Sequence, residues 1–95
     1  MMVIGRQLLH EFKQKHNEAK SQIDSWEAEA KIAQWKTPYE LKRRYPKASL
    51  LKNQHTVFDI CGNKYRLLVR VSYKNQIVFI KKIGTHKEYD SWKIS

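Results

Sequence analysis

The feature that most constrains this chain is a turn signal between two runs of alternating hydrophobic and polar residues. Gly62 and Asn63 form a pair suited to the positive-φ positions of a two-residue β-turn. Counting outward from this turn places Asp59 opposite Arg66. The alternation of side chains along the two strands gives the same register independently. The sequence therefore predicts a β-hairpin whose register is fixed.

The predicted hairpin has one apolar face and one polar face. The apolar face, which we expect to form the core, carries Thr56, Phe58, Ile60, Tyr65, Leu67, Val69, Val71 and Tyr73. The opposite face carries His55, Asp59, Lys64, Arg66, Arg70 and Ser72, together with Val57 and Leu68. A third strand over residues 76–83 adds Lys81 to the polar face if its preceding loop, Lys74-Asn75, also has two residues. We expect a basic sheet surface that faces away from the core.

A helix-start signal follows the third strand. Residues 85–88 read Thr-His-Lys-Glu, which matches the capping box with threonine at the N-cap and glutamate at the third helical position. His86 and Tyr89 lie three residues apart on the expected helix, so their side chains can point the same way. The sequence predicts a basic sheet face with a histidine and a tyrosine at its rim.

The N-terminal third of the chain has helical spacing. Residues 2–4 are a candidate first strand, and apolar residues then recur at intervals of three and four up to Trp35. A single helix over this span would be ~43 Å long at 1.5 Å per residue, which is too long for a small domain. Asn17 followed by Glu18 is a plausible N-cap and offers a break. We expect an αα-hairpin that covers the apolar face of the sheet.

A third helix should begin at Thr37-Pro38, with threonine as its cap, and end near Tyr45 because Pro46 disfavours helical geometry before it. Basic residues cluster at its end and in the loop of residues 49–54 that follows: Lys42, Arg43, Arg44, Lys47 and Lys52. These side chains either contact phosphate or form a solvated turn that complements the helix dipole. The sequence favours neither interpretation.

The length of the chain allows one core. The 95 residues predict a single domain over 1–95, of the α+β class, with an antiparallel sheet of three to four strands and the N-terminal helices on one face. No apolar run approaches the about 20 residues that cross a bilayer, and the N-terminus lacks a signal-peptide pattern. The single cysteine, Cys61, cannot form an internal disulfide. We expect a cytoplasmic protein with no membrane partner.

The charge distribution indicates a polyanionic partner. The formal net charge is +10. Residues 1–35 carry five basic and five acidic side chains, whereas residues 36–95 carry fourteen Lys or Arg and four Asp or Glu. Clustered cations gain free energy by releasing the counterions condensed on a nucleic acid. A merely solubilising surface is the alternative, but the charge coincides with the predicted polar sheet face and therefore favours nucleic acid.

Several chemistries lack their sequence signatures. The chain contains neither of the glycine-rich nucleotide-binding motifs, and its four histidines and one cysteine lack zinc-site spacing. The four carboxylates of the basic half are scattered, which disfavours a two-metal hydrolase. We expect no cofactor and no metal.

Metal-free RNA cleavage fits the remaining residues. RNA supplies its own nucleophile, the 2′-hydroxyl, so a protein needs to position it, move two protons and stabilise a charged phosphorane. Arg66 on the central strand is the candidate for the charge, and His86 for proton transfer. Tyr89 could share proton transfer or stack a base, while Lys87 and Lys64 could hold a phosphate or lower a nearby pKa.

Each candidate also has a structural interpretation. Arg66 can simply pair with Asp59 across the strands. His86 can be an ordinary helix-start residue, and Tyr89 can pack back on the sheet. His55 and Asp59 share the face of Arg66 and are supporting candidates that could orient it.

The chain resembles the HigB toxins of type II toxin–antitoxin systems, which belong to the RelE-like group. The resemblance rests on the segments TPYELKRRYP, HTVFDICGNKYRLLVRV and IGTHKEYD, and it covers essentially the whole chain. It implies a RelE-like α+β fold and a metal-free ribonuclease that cuts mRNA in the ribosomal A site. It also implies neutralisation by a HigA-type helix-turn-helix antitoxin.

The same resemblance implies roles for individual residues. Arg66 resembles the core-strand arginine that stabilises the scissile phosphate in RelE-like toxins, and His86 with Tyr89 resembles the groups that follow their last strand. Lys64, Lys87 and Arg70 would then hold the RNA backbone. Two other functions stay open at this point: a module that binds RNA or ribosomes without cutting, and an interaction protein that has kept the fold and lost the activity.

Overall fold

The computed structural model describes residues 1–94, and the chain forms one mixed five-stranded sheet with helices on both of its faces. The strands are β1 (Met2–Ile4), β2 (Ser49–Leu50), β3 (His55–Ile60), β4 (Tyr65–Ser72) and β5 (Ile77–Thr85). The helices are α1 (Arg6–Lys15), α2 (Lys20–Ile32), α3 (Pro38–Arg44) and α4 (His86–Asp90). The strand order is β1-β5-β4-β3-β2. The predicted α+β class is confirmed.

The predicted register of the β3–β4 hairpin is confirmed, with Asp59 opposite Arg66. The left-handed residues of its turn lie one position earlier than predicted, since Cys61 (φ 55°) and Gly62 (φ 70°) have positive φ. The Cys61 N–H donates to the Gln22 side chain of α2 at 2.7 Å. This hydrogen bond between distant segments fixes the start of the turn, so the turn residues alone could not predict its position.

The edges of the sheet differ from the prediction of three to four antiparallel strands. β2 pairs with β3 in a segment predicted as a loop, and β1 pairs with β5 in parallel. A two-residue strand is too short to carry an alternating pattern, so β2 left no signal. The parallel direction of β1 relative to β5 depends on the path of the chain between these strands, which a local sequence pattern does not show.

A β-bulge interrupts the pairing of β4 with β5 at Lys81. The pairing of β4 with β5 shifts between Leu68 and Val69, so that Leu68 lies opposite Lys82 and Val69 opposite Ile80. Lys81 is therefore the extra residue of the bulge. Lys82 lies opposite Leu68 on the outer face, and the placement of Lys81 on the polar face stays a prediction.

The core lies between the predicted apolar sheet face and the helices α1 and α2. Phe58, Leu67 and Val69 are almost fully buried there, and Trp26 of α2 packs edge-to-face on Phe58. Burying such side chains is the main favourable contribution to folding. The predicted αα-hairpin over this face is confirmed.

The break between α1 and α2 occurs at His16 rather than at an N-cap on Asn17. Asn17 begins a 3-10 turn, and its side chain caps neither this turn nor α2. The His16 ring packs against Phe12, with ring centroids 4.3 Å apart, and against Tyr65 of β4. The chain therefore leaves α1 where a side chain is anchored to the sheet.

The predicted start of α3 is confirmed. The Thr37 hydroxyl accepts a hydrogen bond from the backbone N–H of Glu40, and Pro38 is the first helical residue. The helix ends at Arg44, and Tyr45 forms its C-cap. Leu41 is fully buried and anchors this short helix to the core.

The contact between α1 and α2 predicts a specific pH dependence. Asp24 accepts hydrogen bonds from Lys13 at 2.6 Å and from Lys20 at 2.9 Å, and these lower its pKa from 3.8 to about 2. Because the pKa is depressed in the folded state, the stabilisation is present above pH 3.8 and is lost as the pH falls towards 2. Chemical denaturation between pH 2 and 6 should therefore show a smaller loss of stability on acidification for Asp24→Asn than for wild type. Glu11→Gln, at an exposed carboxylate of α1, is the control and should follow the wild-type curve.

Candidate active site

The helix α4 lies on the outer face of the sheet, opposite α1 and α2. The predicted capping box is present: the Thr85 hydroxyl accepts from the Glu88 N–H at 3.1 Å, and the Glu88 carboxylate accepts from the Thr85 N–H at 2.9 Å. The backbone N–H of His86 donates to the Lys64 carbonyl at 3.1 Å and so attaches the helix to the β3–β4 turn. Both interactions are local to the rim of the sheet and fix where α4 begins.

A glycine allows the C-terminal segment to approach the sheet. Gly84 is buried on the same face as Arg66, directly across from it. A Cβ atom at this position would lie 3.1 Å from the Trp92 ring and 3.0 Å from the Glu88 carboxylate. A side chain at residue 84 would push α4 and Trp92 outward.

Arg66 is held in place by Asp59. Its Nη1 lies 2.6 Å from Asp59 Oδ1, and both side chains are about one-fifth exposed. Arg66 Nε is buried and has no hydrogen-bond partner among the described residues. The sequence offered pairing with Asp59 as a structural role for Arg66, and this ion pair is present. It engages only Nη1 of the guanidinium.

Tyr89 covers Arg66 from the outside. The Arg66 Cζ lies 5.2 Å from the centroid of the Tyr89 ring, in cation–π geometry. The Tyr89 ring is also next to His86, with centroids 6.3 Å apart, and next to Trp92, with centroids 5.5 Å apart. The fold thus brings the three predicted residues Arg66, His86 and Tyr89 together.

His86 and Lys87 lie at the exposed start of α4. The His86 side chain is about half exposed, and its Nδ1 lies 3.8 Å from Asp90 Oδ2 one turn later. Lys87 is exposed and makes no ion pair within residues 1–94. Both side chains can reach a ligand that approaches from solvent.

A pocket of about 640 Å³ lies on the other side of His86. His16, Lys64, Tyr65 and Lys87 are among its lining residues. The Tyr65 hydroxyl donates to the Glu18 carboxylate, which raises the pKa of Tyr65 and lowers that of Glu18. The Tyr65 oxygen, and then Glu18 at 3.4 Å, raise the pKa of Lys64, so this ammonium stays charged.

The sequence predicted Lys64 on the same face of the sheet as Arg66, and this prediction is wrong. Its Nζ lies 5.3 Å from the Tyr65 ring centroid, towards the junction of α1 and α2. The strand ends at Tyr65 and Lys64 belongs to the turn, so the alternation of side chains does not extend to it.

Arg70 and His55 lie farther along the sheet. They are directly opposite each other, four residues from the Asp59–Arg66 pair. At about 3.3 Å per residue this separation is roughly 13 Å. His55 is buried, and its Nδ1 contacts the Lys52 carbonyl at 3.1 Å. His55 does not orient Arg66, which corrects that prediction, whereas Asp59 does contact it.

The basic residues of α3 and the following loop lie away from His86. Lys42 donates to the Ala48 carbonyl, and Arg44 pairs with Glu29, so both have structural contacts. Arg44 and Lys47 line a separate groove of about 870 Å³ between α2, α3 and the edge of β3. This groove is larger than the pocket at His86, but neither Arg66, His86 nor Tyr89 lines it. Arg43 and Lys52 are exposed.

The structure adds residues that the sequence interpretation missed. Lys82 Nζ lies 5.8 Å from the Trp92 ring centroid, next to the Arg66–Tyr89 contact. Trp92 follows Tyr89 by three residues, the spacing that places two side chains on one face of a helix, so the sequence could have indicated its position next to Tyr89. The position of Lys82 could not be predicted because the bulge moves its side chain to the opposite face of the sheet. That of His16 could not be predicted because its neighbours in the pocket lie far away in the sequence.

Two absences concern the described residues 1–94. They contain no group of three or more His, Cys, Asp or Glu side chains placed to hold a metal ion. None of their helices is long and apolar enough to cross a membrane.

Comparison with known proteins identifies the family. The model of the HigB_toxin family, a RelE-like toxic component of a toxin–antitoxin system, matches residues 19–92. The match includes Arg66, His86 and Tyr89. The chain belongs to the HigB toxin family. As the toxic component of a two-protein system, a HigB toxin has an antitoxin as its partner.

Several HigB proteins are similar to this chain, two of those described below over nearly its whole length. The mRNA interferase toxin HigB of Escherichia coli (strain K12) is 28% identical over 92 residues, which span 95% of this chain and 88% of that protein. The mRNA interferase HigB of Shigella flexneri has the same identity and coverage. The mRNA interferase HigB of Escherichia coli O6:H1 is 32% identical over 62 residues, 63% of this chain and 60% of that protein.

The Asp59–Arg66 contact can be tested in this HigB-family chain by a double-mutant cycle. We expect a coupling free energy of about 1–3 kcal/mol between Asp59→Asn and Arg66→Gln, because a charge-assisted hydrogen bond with little exposure is lost in each single variant. Urea denaturation of the four proteins measures it. A coupling below about 0.5 kcal/mol would show that Asp59 does not hold the guanidinium. Lys74→Gln, in the exposed β4–β5 turn, should be additive with Asp59→Asn.

Proposed function

We propose that this protein is a ribosome-dependent mRNA endoribonuclease, the toxin of a type II toxin–antitoxin system. The observation that carries the proposal is the contact of Arg66 with Tyr89, next to His86, on the rim of a basic sheet face. Family membership and the mRNA interferases among its relatives support the substrate class.

The proposed reaction uses the RNA 2′-hydroxyl as the nucleophile. A base removes its proton, the 2′-oxygen bonds to the adjacent phosphorus, and the bond from phosphorus to the 5′-oxygen breaks. An acid donates a proton to the departing 5′-oxygen. The products are a 2′,3′-cyclic phosphate on the upstream fragment and a 5′-hydroxyl on the downstream fragment. The two proton transfers are assigned jointly to His86 and Tyr89.

Arg66 has the geometry to stabilise the negative charge of the phosphorane. It lies on a central strand, its rotamer is restrained by Asp59 and Tyr89, and Asp59 engages only Nη1 of its guanidinium. A positively charged donor that is already in position loses little free energy to reorganisation during the reaction. The Asp59 carboxylate orients Arg66 but also offsets part of its charge.

The flanking basic residues are proposed to hold the RNA backbone. Lys87 and Lys64 line the pocket beside His86, and Arg70 continues the outer sheet face. More distant contacts are proposed for Lys42, Arg43 and Arg44 of α3 and for Lys47, Lys52 and Lys81 beyond it. Lys42 is the weakest of these because its ammonium donates to the Ala48 carbonyl. Such contacts position RNA without reading its sequence.

The ribosome, a HigA-type antitoxin and the cytoplasm complete the proposal. The exposed positions of His86 and Lys87 leave the site open, so a ribosome that presents one mRNA segment would supply orientation that the toxin alone lacks. A helix-turn-helix antitoxin of the HigA type and a cytoplasmic location follow from the resemblance to HigB toxins. No metal takes part in the proposed steps.

The proposed function is tested by inducing wild type, Arg66→Ala and His86→Ala in bacteria and mapping the 5′ ends of a reporter mRNA. We expect codon-positioned cuts with wild type, and a loss of at least about 100-fold for each variant, the scale of one acid–base or charge-stabilising group. His10→Ala, an exposed histidine of α1 outside the site, is the matched control.

Three results would contradict the proposal. Absence of cuts despite confirmed wild-type expression would favour an RNA-binding module that does not cleave. Equal cutting by His86→Ala would remove His86 from the chemistry. Downstream fragments with a 5′-phosphate would exclude attack by the 2′-hydroxyl. Purified toxin dialysed against a chelator and added to programmed ribosomes or to free mRNA tests metal and ribosome dependence separately.

A further inference from the structure

The pocket beside His86 combines three segments that are distant in the sequence. His16 is the C-cap of α1, Lys64 lies in the β3–β4 turn, and His86 and Lys87 are the first residues of α4. The hydrogen bond from the His86 backbone N–H to the Lys64 carbonyl joins two of the segments, and the packing of the His16 ring against Tyr65 joins the third. The pocket is therefore a product of the tertiary structure. His16 also precedes the residues 19–92 that match the family model.

The lining of the pocket favours an anion. Its four basic side chains, His16, Lys64, His86 and Lys87, are accompanied by neutral polar residues, and no Asp or Glu is among the described residues that line it. The carboxylates that contact its lining residues all have partners. Glu18 accepts from Tyr65 and Lys64, Glu88 accepts from the Thr85 N–H, and Asp90 Oδ2 lies 3.8 Å from His86 Nδ1. An anionic ligand would meet donors without facing an unpaired carboxylate.

His16 is held with one ring nitrogen available. Its Nδ1 lies 3.2 Å from the Tyr65 hydroxyl oxygen. Because the hydroxyl hydrogen of Tyr65 goes to Glu18, Nδ1 is the donor in this contact. Nε2 makes no hydrogen bond within residues 1–94 and is the atom left for a ligand. The Phe12 ring packs on the same imidazole and limits its rotation.

The position of the pocket favours a polymeric anion over a small one. His86 lies between this pocket and the Arg66–Tyr89 contact, so a chain that crosses the rim passes from one to the other. A polymer with regularly spaced phosphates, cleaved at Arg66, would place a neighbouring phosphate in the pocket. A small free anion would occupy the pocket alone and would not extend past His86 to the Arg66–Tyr89 contact.

We propose that this pocket is a second phosphate subsite for RNA, which takes a phosphodiester next to the one that is cleaved and uses His16 as a binding residue. The subsite rests on the proposed function, because the RNA path is defined by cleavage at Arg66. Lys64 and Lys87 supply the fixed charge. His16 binds as the imidazolium, in which Nδ1–H faces the Tyr65 oxygen and Nε2–H donates to a phosphate oxygen. Tyr65 and Glu18 position Lys64 and His16 without contacting the RNA.

The test compares wild type with His16→Phe, which keeps the aromatic packing on Phe12 and Tyr65 but removes Nε2. Ribosomes programmed with a short mRNA are mixed with excess toxin, and single-turnover cleavage is measured against toxin concentration. We expect the half-saturating concentration to rise about tenfold, as for one lost charge-assisted hydrogen bond. The maximal rate should change less than about threefold, because His16 contributes to binding rather than chemistry. His10→Phe is the matched control and should equal wild type.

A neutral methylphosphonate placed at each linkage around the cut locates the phosphate. At one linkage it should weaken wild type by at least about tenfold and weaken His16→Phe by a clearly smaller factor, which is the signature of a shared contact. Additive losses at every linkage would overturn the subsite, as would an unchanged half-saturating concentration in His16→Phe. If His16→Phe does not fold, as judged by circular dichroism, Lys64→Gln at an exposed turn position carries the same expectation.

Failure of the subsite differs from failure of the proposed function. Normal wild-type cleavage with an unaffected His16→Phe overturns the subsite alone. If wild type cleaves neither ribosome-bound nor free mRNA, the nuclease proposal fails, and binding of a 2′-O-methyl RNA oligonucleotide measured by fluorescence anisotropy then decides the subsite. Equal affinities of wild type and His16→Phe for that oligonucleotide would overturn it.

Discussion

The pairing of Asp59 with Arg66 across β3 and β4 is the constraint on which the rest of the site depends. Since side chains alternate along a strand, this register decides that Arg66 faces outward while Tyr65 and Leu67 face the helices. A slip of one residue would bury the guanidinium in the core, where an unpaired charge is costly. The hydrophobic core and the orientation of Arg66 are consequences of the same register.

The outer face becomes a site only because α4 returns to it. The capping box starts this helix at His86, and Gly84 leaves room for Trp92 against the sheet. Tyr89 then lies over Arg66, and its ring also contacts His86. Removing either the cap or the glycine would separate the arginine from the two proposed proton-transfer groups without altering the core.

The rim is basic on both sides of α4, which suits a polymer better than a small substrate. One side has Arg66 under Tyr89, and the other has the pocket of His16, Lys64 and Lys87. Family membership as the toxic component of a toxin–antitoxin system agrees with such a surface. The proposed nuclease reaction uses one side for chemistry and the other for holding the neighbouring phosphate.

Much of this arrangement could be predicted from local sequence patterns. The register around Gly62, the Thr85 capping box, the Thr37 cap and the outward direction of Arg66 each depend on residues within a few positions of one another. Short-range sterics and hydrogen bonding determine such features, so the amino-acid sequence by itself determined them.

Only the tertiary structure decided the remaining features. The bulge at Lys81 moved Lys82 onto the outer face, and the turn at Lys64 directed its ammonium towards Glu18. The approach of His16 to His86 joins the first helix to the last. These contacts depend on packing between segments dozens of residues apart, and no periodicity or turn signal in a single stretch of sequence carries that information.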